Sequence, residues 1–318
     1  MIPVAREEWR DQILLSRTVE LAGERAELFS RVRGGDLLSL YRGVYFPLTL
    51  WDQLDRDARY RARIHAAAIY SPRPVVFSHD SAAALWRLPR LGEWPSRAHV
   101  VQPIADGGRS NAMFARHSVG LPIEIEAIEG LAVTTLARTV VDLAAGASFG
   151  QSVTLADAAL RRTEHPLSGI PLTTLDKSDL YQELDGIPLR RGSARVRRTI
   201  DFADGRADRP GESLSRVSMH VAGITPPQLQ VALRGATGRE YFADFWWEEF
   251  DMIGEFDGRF KYTDPAFLLG RTPEQVLLDE KAREDDLRAA GHGMSRWPWE
   301  IALSPTRLRE HLGRAGVR

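Results

Sequence analysis

Tyr241-Phe-Ala-Asp-Phe-Trp-Trp-Glu-Glu-Phe-Asp-Met-Ile-Gly-Glu-Phe-Asp-Gly-Arg-Phe-Lys-Tyr262 is rich in aromatic residues and interleaves them with acidic ones. That pattern predicts two strands joined by a short acidic turn. Glu255 and Asp257 stand two residues apart on the second strand, so their carboxylates leave one face of it. Asp244 comes from the preceding strand, and if the two strands pair as a hairpin, three carboxylates converge. Like charges gathered in this way repel one another unless a cation neutralises them. An oxygen-only set of ligands suits a hard ion, Mg2+ or Mn2+. A solvated acidic strand face is the plain alternative.

Two neighbouring features favour the metal. Gly258 follows Asp257 and leaves room for a bulky ligand beside the backbone. The chain uses Arg almost everywhere, and its only lysines are Lys177, Lys261 and Lys281. Lys261 and Lys281 follow the hairpin closely, and a lysine serves as a point charge beside a phosphate where an arginine fork fits poorly.

Asp244 followed by Glu255-Phe-Asp257-Gly resembles the metal-binding centre of the PD-(D/E)XK, or restriction-endonuclease-like, superfamily. The pattern is most similar to its very-short-patch-repair (Vsr-like) branch. The resemblance implies a further glutamate from an upstream helix, and Glu212 in Gly-Glu-Ser-Leu-Ser-Arg fits that place. It also implies that Glu212, Asp244, Glu255 and Asp257 hold Mg2+ or Mn2+, with Lys261 or Lys281 steadying the charge of the transition state. Two positions depart from the pattern. The usual lysine two residues after Glu255 is Asp257 here, and the histidine of the Vsr-like branch is Lys261.

The chain has 318 residues, 43% of hydrophobic type, which is ample for two or three cores. Its formal net charge of −1 excludes a globally basic coat protein but leaves room for a local basic face. With no cysteine, disulfides, thiolate zinc sites and cysteine nucleophiles are all excluded. No long uncharged apolar stretch occurs, and acidic residues with Trp9 stand where a signal peptide needs an apolar run. These features predict a soluble, cytoplasmic protein that does not enter a membrane.

Toward the N-terminus, Ser16 begins a short helix through Leu21, and a second helix covers about Glu24 to Arg33. Ala26, Phe29 and Val32 recur at helical spacing as its buried stripe. Leu37 to Phe46 reads as a strand, a turn at Arg42-Gly43 and a second strand. Helix, turn, helix, hairpin is the order of a winged helix-turn-helix, in which a short helix enters the major groove and the wing holds a phosphate. Leu14-Leu-Ser-Arg, Leu21-Ala-Gly23, Arg31-Val-Arg-Gly-Gly and Leu40-Tyr-Arg-Gly-Val-Tyr45 resemble the N-terminal domain of the AbiEi family, antitoxins of type IV toxin–antitoxin systems. That likeness implies Arg25, Arg31, Arg33 and Arg42 as contacts to double-stranded DNA, and a nucleotidyltransferase-type toxin as the partner opposed. Ser78-His-Asp-Ser-Ala-Ala-Ala-Leu and the run from Val133 to Ala145 extend the resemblance into the middle region.

The middle region reads as a structural or partner-binding α+β core. Trp51 to about Tyr70 is one charged helix, and Val75 to Phe77 a short strand. His99 to Val101 and Ala112 to His117 are strands across a turn at Asp106-Gly-Gly108. Val140, Val141 and Leu143 are expected in the core of one helix, with Arg138 and Asp142 paired at i, i+4. His79, beside a capping serine, reads as a hydrogen-bonded structural residue. In Arg190 to Arg198, the residues Arg195, Arg197 and Arg198 either track phosphates or form a solvated helix face. A helix beginning near Glu212, the strands and a helix carrying Lys281, whose plain alternative role is a salt bridge to Asp285, complete the order of a restriction-endonuclease-like domain.

The expected organisation is α+β in three parts: a winged helix-turn-helix over 1–48, an α+β middle domain over 49–204, and a nuclease-like α/β domain over 205–318. The expected function is that of a DNA-binding regulator or antitoxin. The alternative is a Mg2+-dependent endonuclease targeted by the winged segment.

Overall fold

A computed structural model describes residues 8–21, 24–103, 110–119, 123–167, 169–187, 191–258 and 272–318. The fold is α+β, and the chain forms two compact units. One comprises 3–147 and 162–201, the other 148–161 and 202–318. Residues 148–161 thus group with 202–318.

The first unit opens with β1 (Leu14–Leu15), α1 (Ser16–Leu21), α2 (Arg25–Gly34), β2 (Leu37–Tyr41) and β3 (Val44–Pro47). The strands form an antiparallel sheet in the order β1-β3-β2. Gly35 ends α2 at φ 82° and Gly43 turns the β2–β3 hairpin at φ 79°, conformations that cost a residue with a Cβ. The expected apolar stripe of α2 is not the buried one. Leu28 alone is buried, Ala26 and Phe29 are exposed, and Val32 is half-buried. The sheet supplies most of this small core through Leu37, Leu40, Val44 and Phe46, so α2 needs to contribute only one side chain.

α3 (Leu48–Gln53) and α4 (Arg56–Tyr70) follow. The single helix expected from Trp51 breaks because Asp55 restarts it, accepting the Ala58 N–H at 2.7 Å as an N-cap. A five-stranded sheet has the order β6-β5-β4-β8-β7, with β4 (Val76–Phe77), β5 (Ala98–Pro103), β6 (Phe114–Val119), β7 (Ile125–Ile128) and β8 (Leu131–Thr134). β5 and β6 run parallel, so they are not the hairpin expected across the turn at Asp106-Gly-Gly108, which itself lies outside the described residues. α5 (His79–Leu85), α6 (Leu136–Ala144), α8 (Lys177–Gly186) and α9 (Ser193–Phe202) belong to this unit, apart from the last residue of α9. Arg138 and Asp142 of α6 pair as expected, at 3.0 Å, while Leu143 is only half-buried.

The β7–β8 hairpin turns at Glu129 (φ 56°) and Gly130 (φ 79°). Two successive left-handed residues make the two-residue turn that suits the twist of a hairpin. A glutamate is unusual there, and its side chain gives the reason. Arg10 lies 2.5 Å from its carboxylate, Arg87 2.7 Å and His65 2.9 Å, with the carboxylate only 8% exposed.

In the second unit, α7 (Phe149–Arg161) and α10 (Pro210–Ala222) accompany a sheet of order β12-β11-β10-β9. β9 (Gln228–Arg234), β10 (Glu240–Trp247) and β11 (Met252–Phe256) form an antiparallel meander, and β12 (Gly293–Trp297) runs parallel to β11. α11 (Pro273–Ala289) starts at a capping box formed by Thr272 and Gln275. α12 (Trp299–Ala302) and α13 (Pro305–Arg314) close the chain. One core gathers Met219, Phe245, Trp247, Phe256, Trp297 and Leu308. Ala243, Trp246, Ile253 and Leu287 form the other.

Gly254 sits where Trp247 and Trp297 pack: a Cβ there would lie 2.7 Å from both rings. Two buried indoles cannot both yield, so Gly254→Ala is expected to cost about 2–3 kcal/mol, within the usual range for overpacking a core. Urea unfolding of the variant beside wild type measures it, and an unchanged midpoint would contradict the packing described.

No helix among the described residues is long and apolar enough to cross a membrane.

Candidate functional site

The carboxylates of the second unit meet at a kink in its sheet. On β9, Leu229 packs into the first core and Val231 against the second; on β10, Phe245 joins the first and Ala243 the second. Residues two apart share a face in a regular strand. The alternation therefore reverses at Gln230 and Asp244, which lie between the paired positions Phe245↔Leu229 and Ala243↔Val231. Gln230 adopts φ 51°, a strained conformation for a residue other than glycine.

That kink brings three polar side chains together. The Gln230 amide lies 3.3 Å from Glu212 Oε2 and 3.5 Å from Asp244 Oδ1, long distances for a hydrogen bond. Glu212, in the first turn of α10, accepts the Asp208 N–H at 2.8 Å. Asp244 Oδ2 accepts the Phe256 N–H at 3.2 Å. Glu212 is buried, and burial together with the nearby Asp244 pushes its carboxyl up to about 8. Both effects favour its protonated form.

The other expected ligands stand differently. Glu255 is buried, but Arg296 Nε donates to its Oε2 at 3.0 Å and Arg283 lies 2.6 Å from Oε1, in ionic contact without an aligned hydrogen bond. Its charge is met by arginines from α11 and β12, not by an open coordination position. Asp257 falls just after β11 ends at Phe256 and is half-buried, with its N–H donating to Trp297 O at 2.9 Å. Lys281 is exposed on α11 and the alternative salt bridge to Asp285 does not form. Lys261 lies outside the described residues.

The residues present therefore fit the expected Mg2+ or Mn2+ site poorly. Glu212 and Asp244 are gathered, whereas Glu255 is already neutralised. Among the described residues, no three His, Asp or Glu side chains stand together as metal ligands. Gln230, unforeseen from sequence, is the third member of the cluster. The only sign of it in the sequence is a polar residue between Leu229 and Val231.

The expected DNA contacts lie in the first unit. Arg25, Arg33 and Arg42 are exposed and Arg31 is half-exposed. Arg25 also covers the Phe29 ring, 5.6 Å from its centroid. On α9, Arg195 and Arg198 are exposed, but Arg197 pairs with Asp185 at 2.5 Å and lies over Tyr181.

A histidine cluster stands beside β4. His79, at φ 48°, stacks on His117 with ring centroids 3.6 Å apart, and His117 Nε2 lies 3.1 Å from His99 Nδ1. His79 Nδ1 also meets Ser78 Oγ at 3.1 Å, as a structural residue should. Burial, with the mutual repulsion of the rings, holds His79 well below its ordinary value and brings His99 down to about 4. A pKa depressed on folding gives stability that is complete above about 6.5 and is lost as pH falls toward 4. Stability of wild type is thus expected to decline across this window, by on the order of 3 kcal/mol for His99. In His99→Gln the decline shrinks. Thermal melts from pH 7 to 4 measure both, and equal slopes would contradict the account.

No protein-family model matches the chain. Two uncharacterized proteins, one from each of two strains of Mycobacterium tuberculosis, are each 25% identical to it over 297 residues, spanning 92% of this chain and 98% of theirs. The similarity runs nearly end to end in both chains.

Proposed function

We propose that this protein is a cytoplasmic DNA-binding regulator similar in kind to the AbiEi antitoxins, with a nuclease-like C-terminal unit. The observation that carries this reading is the face of α2. The helix gives only Leu28 to the core and presents Arg25, Arg31 and Arg33 outward, while Arg42 stands at the turn of the following hairpin. A short basic helix followed by a basic hairpin turn suits a major groove with a phosphate at the wing. Because the net charge is −1, attraction to DNA has to come from such a local face. A nucleotidyltransferase-type toxin is the protein partner this reading calls for.

The test is fluorescence anisotropy of labelled duplex DNA at moderate salt. Arg31→Ala and Arg42→Ala are each expected to weaken binding about tenfold, and Asp244→Ala to leave it unchanged. Retention of full affinity by both arginine variants would sink the reading.

A second reading, a metal-dependent endonuclease, is favoured by the Glu212–Asp244 pair and the strained Gln230 that serves it. The pairing of Glu255 with Arg283 and Arg296 counts against it. Nicking of supercoiled DNA by wild type but not by Asp244→Ala would give it precedence.

A further inference from the structure

On α4, Arg56, Arg59 and Arg63 line a groove of about 440 Å³ with Tyr60, Trp94 and Glu93. The spacing places the three arginines along one side of the helix. Their guanidiniums are held by neutral backbone oxygens. Arg56 donates to Gly92 O at 2.7 Å and Arg90 O at 3.0 Å, Arg59 to Trp51 O at 3.0 Å, and Arg63 to Leu40 O at 3.3 Å. Arg59 and Arg63 also lie over the Trp51 ring, at 5.6 Å and 5.2 Å from its centroid.

This anchoring separates position from charge. A carbonyl fixes a guanidinium without neutralising it. Arg56 also meets Asp57, at 3.3 Å, but no carboxylate pairs with Arg59 or Arg63 among the described residues. Both are half-buried, so they are partly withdrawn from water and less screened than a surface charge. Glu93 is the one acidic residue lining the groove. Tyr60 and Trp94 stack on each other at 4.9 Å and Arg90 lies over Trp94, so the aromatic faces are occupied and a nucleobase finds no platform. What remains is a site for an anion of phosphate geometry, which arginine forks suit.

The groove adjoins the winged sheet. Leu40, which anchors Arg63, lies two residues before Arg42. From Arg56 to Arg63 is about 10 Å along the helix axis, and from Leu40 to Arg42 about 7 Å along the strand. We propose that the α4 groove is a phosphate-binding site in which Arg59 and Arg63 hold the backbone of the duplex whose groove α2 reads. This rests on the DNA-binding reading above and adds a second contact surface, outside the winged segment.

The experiment compares wild type with Arg59→Gln/Arg63→Gln and with Arg59→Lys/Arg63→Lys, all as full chains, in titrations of a short duplex over a range of salt. Two lost phosphate contacts lower the log–log salt slope by about 1.8 and weaken binding about 60-fold at 0.1 M salt. The lysine pair keeps the charge and is expected to keep the slope. A purely structural role for the guanidinium forks would instead damage both pairs alike without changing either slope. If the glutamine pair keeps the wild-type slope while Arg31→Ala lowers it, the DNA reading stands and the groove is overturned. If wild type binds no duplex, inorganic phosphate in calorimetry decides. Binding lost in the glutamine pair would assign the groove to free phosphate, and no binding would overturn it.

Discussion

Glu212→Gln is expected to stabilise the second unit at pH 8 and to do almost nothing at pH 4. Glu212 is buried, 3% exposed, and faces Asp244 across the Gln230 amide. Its carboxyl is raised from the ordinary range to about 8. A carboxyl raised on folding contributes stability that is complete below about 4.5 and is lost as pH rises through the folded value. Wild type therefore loses stability between about pH 4.5 and pH 8, by on the order of 3 kcal/mol. Glutamine keeps an oxygen to accept the Asp208 N–H and cannot ionise, so the variant escapes the loss. In calorimetry at pH 8 the transition of the second unit should rise by roughly 10 °C. No difference between the two proteins at either pH would mean that the two carboxylates do not oppose each other.

Glu129→Ala is expected to have the opposite effect on the first unit. Three cationic or hydrogen-bonding groups close on that carboxylate, from Arg10, His65 and Arg87. Burial pushes the carboxyl up, but the His65 hydrogen bond and the Arg10 charge outweigh it and leave it below its ordinary value. Removing the carboxylate takes away the negative charge that Arg10, His65 and Arg87 share in a largely dry site, and breaking a buried ion pair typically costs about 3–5 kcal/mol. The transition of the first unit should fall by roughly 10 °C at pH 7. Because the folded value is depressed, the deficit is present above about 4.5 and narrows as wild type loses the same interaction in acid. Asp52→Ala, an exposed position, serves as the reference and should change little. A melt of Glu129→Ala equal to that reference would show that the hub contributes nothing.

Local chemistry was legible in the sequence where one segment determines it. The hairpin from Tyr241 to Phe256 and the helix that begins beside Glu212 both follow from neighbouring residues. The arginines of α2 and the turn at Gly43 were equally plain. What escaped was set by partners distant in the chain. Glu255 and Asp257 look like one acidic face until Arg283 and Arg296 arrive from other elements. Gln230 becomes a site residue only because β9 and β10 reverse their alternation together, and no period-two pattern announces that. Leu28 displaced the expected stripe because the sheet of β1, β2 and β3, not the helix, fills the small core. Glu129 sits in a turn that its composition does not suit, and only the three side chains around it explain why it is there.

On the proposed function, the N-terminal segment of the first unit binds duplex DNA selectively through Arg25, Arg31, Arg33 and Arg42. The most direct test is nuclease footprinting on the DNA upstream of the protein's own gene, with wild type and with all four arginines changed to alanine. DNA binding of this kind gives a compact protected site with wild type that vanishes in the fourfold variant, while the variant's melt stays unchanged. The same footprint in both proteins, or none in either, would contradict it.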